Sequence, residues 1–108
     1  MSAGRWRTLS LAEQMGNIGS EVDRAVRASS TGNEERFQGA FDRALELFDL
    51  TLADPRWRGH RRREIARARE EFCRLFYGEK AAWESVRGLQ EYFLHFALAA
   101  RARRESSH

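Results

Sequence analysis

A chain of 108 residues has room for one domain and one buried core, and its 42% hydrophobic content excludes a disordered polar chain. The formal charge is only +3, so the whole molecule is not a strongly basic nucleic-acid binder. One cysteine, Cys73, excludes an internal disulfide and fits a reducing compartment. No segment has the length of apolar chain that a membrane span requires, so the expected location is the cytoplasm, with no membrane partner.

The first nine residues carry Arg5 and Arg7 around Trp6 without an apolar run, and read as a flexible tail. Ser10 and Glu13 then have capping-box spacing. Leu11, Met15, Ile18, Val22, Ala25 and Val26 follow at the period of a helix. Gly16 and Gly19 weaken this first helix by about 1 kcal/mol each, but let a second helix come close. Gln14 and Glu21 lie at the edge of its apolar seam and read as interhelical hydrogen-bonding groups. Ser29 to Asn33 form a loop.

Asn33 caps the second helix, whose positive first turn suits Glu34 and Glu35. Phe37, Phe41, Ala44, Phe48 and Thr51 make its inner face. Asp54-Pro55 ends it, because proline disfavours a helical residue before it. A third helix is predicted over 60–77, with Ile65, Ala68, Phe72, Leu75 and Phe76 inward and Gly78 as its stop. A fourth is predicted over 81–104, seamed by Ala82, Val86, Leu89, Phe93, Phe96 and Ala100, with 105–108 a second tail. Four helices of similar length with short loops predict an all-α, antiparallel up-down four-helix bundle.

Charge is uneven along this frame. Residues 34–53 hold five acids, whereas 56–63 hold five arginines and no acid. Arginine supplies 18 of the 19 basic residues. That bias also follows from codon usage, so position must carry the argument. On the third helix His60, Arg63, Arg67 and Arg74 fall outward, Arg62 and Arg69 flank the seam, and Arg56, Trp57 and Arg58 precede it. Guanidiniums beside aromatic rings suit RNA, where phosphates take the charge and unpaired bases stack. The candidate nucleic-acid-binding set is therefore Arg56, Trp57, Arg58, His60, Arg62, Arg63, Arg67 and Arg74. The competing readings are a solvated helix face or a dock for an acidic protein.

The fourth helix is apolar on two sides. Trp83, Leu94 and Leu98 lie outside the bundle seam and form a candidate homo-oligomer interface. No Gly-rich phosphate loop, CxxC pair or metal-spaced His/Cys set occurs, so neither cofactor, metal site nor catalytic residue is expected. Cys73 has no base to activate it. Arg103 and His108 have the spacing of helical HEPN-type ribonucleases, but that histidine ends the chain.

Asn17-Ile-Gly-Ser-Glu-Val22, Arg43-Ala-Leu-Glu-Leu-Phe-Asp-Leu-Thr51, Asp54-Pro-Arg56 and Tyr92-Phe-Leu-His-Phe-Ala97 resemble segments of a group of small prokaryotic helical-bundle proteins. The resemblance implies a helical fold and brings no activity with it. In architecture alone the chain is also similar to small basic four-helix accessory proteins that bind RNA or reverse transcriptases. The reading at this point is a non-catalytic accessory module binding nucleic acid, RNA ahead of DNA, with a scaffold assembling through its last helix as the alternative and a HEPN-like ribonuclease third.

Overall fold

A computed structural model describes residues 3–77 and 83–106, with the side chains of 83–85 and 104–106 outside the description. The described residues form five helices and no strand: α1 (Ala3–Trp6), α2 (Leu11–Ser30), α3 (Glu34–Leu52), α4 (His60–Tyr77) and α5 (Trp83–Ser106). The four long ones are the four read from periodicity. Gly78, Ala82 and His108, and the side chain of Trp83, lie outside the described residues, so the expectations placed on them are not addressed.

Local chemistry sets the ends. Ser10 accepts from the Glu13 amide and Glu13 accepts from the Ser10 amide, closing the capping box of α2. Asn33 accepts from the Arg36 amide and starts α3. Gly32 and Gly59 hold φ of +73° and +57°, the left-handed region that glycine enters without a Cβ clash. The Gly59 carbonyl then accepts from the Arg63 amide as α4 begins.

The helices close a ring: α2 packs on α3 and α5, α3 on α4, and α4 on α5. Phenylalanines fill the middle. Phe41 stacks on Phe72 at 5.0 Å, and Phe48 meets Phe93 edge-on at 5.9 Å. The glycines of α2 do what their spacing predicted. A Cβ on Gly19 would lie 2.6 Å from Phe93 Cβ, and one on Gly16 would lie 3.4 Å from Ala97 Cα, so α5 sits directly on this strip.

The N-terminal stretch departs from the expected tail. Trp6 is fully buried and joins the core. Its indole N–H donates to Thr51 Oγ1 at 2.9 Å, which ties α1 to the end of α3. No pattern period extends across so short a segment, and burial of its one large ring decides its place.

Candidate nucleic-acid interface

The break after α3 is a polar hub. Asp54 is 2% exposed, and its carboxylate accepts from the Arg56 amide at 3.0 Å and from Arg56 Nη2 at 2.7 Å. Gln14 Nε2 donates to the same carboxylate at 3.2 Å and to the Trp6 carbonyl at 3.0 Å. Gln14 Oε1 in turn accepts from the Trp57 indole at 2.8 Å. These bonds, Arg56 foremost, hold the Asp54 carboxyl down at about 2 against the opposing effect of burial. A carboxylate so fully bonded is a poor base. It fastens the break to α2.

The candidate residues therefore separate into two sets. Arg56 is exposed but its head is bonded to the fold: besides Asp54 it donates to the Leu9 carbonyl at 2.8 Å, and it lies 4.6 Å from the centre of the Trp57 ring. Trp57 is half-buried, with its N–H and one ring face engaged. Arg56 and Trp57 thus serve the fold, and Trp6 in the core presents no ring to a base. Arg74 is exposed but paired with Glu70 at 3.0 Å. Arg69 bridges to Asp49 on α3 at 3.0 Å, the ion pairing expected between an acidic and a basic helix.

The second set faces outward. His60, Arg63 and Arg67 are exposed and make no hydrogen bond or ion pair by their side chains among the described residues. They fall on one stripe of α4, spanning about 10 Å at the helical rise. Arg58 and Arg62 donate only to the backbone carbonyls of Pro55 and Leu52, so their charge is not cancelled. Arg61 faces Glu64 at 3.5 Å, and Glu64 also accepts from the Tyr92 hydroxyl at 2.9 Å. Burial, and then the Glu64 carboxylate, raise the Tyr92 hydroxyl well above its ordinary range.

Two further surfaces flank this one. On α5, Leu94 and Leu98 are 54% and 53% exposed, as their helical positions predicted. Between α2 and α3 lies a groove bordered by Arg24, Arg27, Arg36 and Arg43. Sequence reasoning missed the groove because its arginines are scattered over 20 positions. The available signal was spacing: Arg24 with Arg27, and Arg36 with Arg43, each share a helix face. No group of histidine, cysteine or carboxylate side chains among the described residues could hold a metal, and no described helix is long and apolar enough to cross a membrane.

No protein family, curated protein or solved structure matches this chain.

Proposed function

We propose that the protein is a non-catalytic cytoplasmic module whose four long helices run as an antiparallel up-and-down bundle and whose α4 holds nucleic acid by its phosphates. The observation that carries this reading is the outward stripe of His60, Arg63 and Arg67, which has no carboxylate partner among the described residues. Arg58 and Arg62 add charge beside it.

A second consideration supports it. The first turn of α4 contains no acid and begins His60-Arg61-Arg62-Arg63, so cations crowd the positive end of the helix dipole. Each such placement costs roughly 0.3–1 kcal/mol. Sequences break a local rule of this kind most often where function demands it, and an anion laid along the stripe relieves the repulsion. Because Trp6 is buried and Trp57 is engaged, the contacts in this reading are to phosphates, which RNA and DNA share. The stacking argument that favoured RNA loses most of its support.

The test is fluorescence anisotropy with a labelled RNA and a labelled DNA between about 50 and 200 mM salt. Affinity should fall steeply with salt for both. Arg63→Glu with Arg67→Glu should lower the log–log slope by about 2 and leave helicity unchanged. Binding indifferent to the double variant refutes the proposal.

Leu94 and Leu98 support a second reading, self-association through α5, since they lie one turn apart and more than half exposed. It is compatible with the first. Leu94→Ser with Leu98→Ser should lower the mass measured by light scattering, and an unchanged mass discards it.

A further inference from the structure

The groove between α2 and α3 is open to solvent and has a volume of about 780 Å³, within the range of small-molecule sites. Four arginines line it, Arg24 and Arg27 from α2 and Arg36 and Arg43 from α3. Glu21, almost buried, reaches up from α2 and binds one head from each side. Its Oε1 accepts from Arg24 and its Oε2 from Arg43, the latter at 3.1 Å. That carboxylate holds two guanidiniums in place, and each retains further N–H donors. Arg27 and Arg36 make no side-chain ion pair or hydrogen bond among the described residues. Glu35 also borders the groove and Glu34 the hollow beside it, so the four arginines keep an excess of one positive charge over Glu21, Glu34 and Glu35. Gly39 helps shape the wall, since a Cβ there would press to 3.3 Å on the head of Arg43.

A second hollow of about 300 Å³ adjoins it and shares Ala28 and Asn33 as a common border. Three rings line it, Phe37, Phe76 and Tyr77, together with small and polar residues and the Glu34 carboxylate. Phe37 and Phe76 pack edge-on at 4.8 Å, while Tyr77 leans on Phe41 at 5.3 Å and is 67% exposed. A large ring so exposed at the mouth of a hollow offers a stacking surface. The guanidiniums of the adjoining groove suit phosphate, which they bind in forked pairs of charge-assisted hydrogen bonds.

We propose that groove and hollow together seat a nucleotide, with the phosphates among Arg27, Arg36 and the Glu21-held pair and the base against Tyr77. This site is distinct from the α4 stripe and does not depend on it.

Calorimetry with three probes separates the parts: ATP carries phosphates and ring, pyrophosphate the phosphates alone, adenosine the ring alone. ATP should bind most tightly, pyrophosphate more weakly and adenosine weakest. Arg27→Ala with Arg36→Ala should weaken ATP by about tenfold or more with helicity retained, both residues being exposed. Tyr77→Ala should reduce ATP to the affinity of pyrophosphate. Arg63→Glu with Arg67→Glu should leave ATP binding unchanged at physiological salt, where the screening length is about 8 Å, so failure of the α4 reading is told apart from failure here. No heat with ATP at about 1 mM overturns the proposal, as does ATP binding that survives loss of both arginines, or adenosine binding as tightly as ATP.

Discussion

Arg56 and Arg63 belong to one run of cations seven positions apart and both are exposed, yet only Arg56 is bonded into the fold. Arg56 lies in the irregular link after α3, where backbone groups and a buried carboxylate need donors, and it is drawn in by Asp54 and the Leu9 carbonyl. Arg63 lies on a regular helix whose backbone bonds are already made and whose inner face belongs to Ile65 and Ala68. Its head is left to solvent. Cation density along a chain is therefore a poor guide to surface charge. What decides whether an arginine serves the fold is the acceptor within its reach: Arg56 has the Asp54 carboxylate, and Arg63 has none among the described residues.

The largest effect should come at the inward end. Trp6→Ala removes a fully buried ring together with its bond to Thr51. It should cost about 3–5 kcal/mol in urea denaturation. A loss below about 1 kcal/mol would place Trp6 outside the core. Gly19→Ala should cost about 1–3 kcal/mol despite the better helix propensity of alanine, because the new methyl meets Phe93. A stabilised variant would mean that α5 does not press on α2 at this point.

Acid probes the hub itself. The unfolded Asp54 carboxyl takes up a proton as pH falls below about 4, whereas the folded one resists until about 2. Its stabilising contribution is thus complete above that window and lost on descending through it. About 1–2 kcal/mol should disappear between pH 4 and 2 in wild type, beyond the loss in Asp54→Asn. Parallel pH profiles for the two proteins would remove Asp54 from the account. At the other extreme, Tyr92→Phe should cost about 1 kcal/mol through the bond to Glu64. Wild type should lose that margin as pH rises above about 10, since the raised hydroxyl keeps its proton only in the folded state.

The elements were largely legible because their signals are local. Capping chemistry at Ser10 and Asn33 and the break at Asp54-Pro55 set the ends of α2, α3 and α4. Apolar periodicity chose their inner faces, and it exposed Leu94 and Leu98. What escaped reading is long-range pairing. Trp6 finds Thr51 across 45 positions, and nothing near Trp6 announces that partner. Gln14, read as an interhelical donor, proved to bind Trp6, Asp54 and Trp57 together. The same limitation hid the bonds that tie Arg56 and Trp57 into the fold. It also hid the α2–α3 groove, whose arginines converge only after the helices pack.

The smallest expected stability change is at the outward end: Arg63→Glu with Arg67→Glu should stay within about 0.5 kcal/mol of wild type. That sets up the decisive measurement, a crossed comparison of this double variant with Arg56→Met, following stability and salt-titrated nucleic-acid affinity in the same preparations. The double variant should keep its stability and lose binding, while Arg56→Met should lose stability and, where still folded, keep the wild-type salt slope. If Arg56→Met abolishes binding at full stability, or the double variant binds like wild type, the division between arginines bonded into the fold and those left to solvent is wrong.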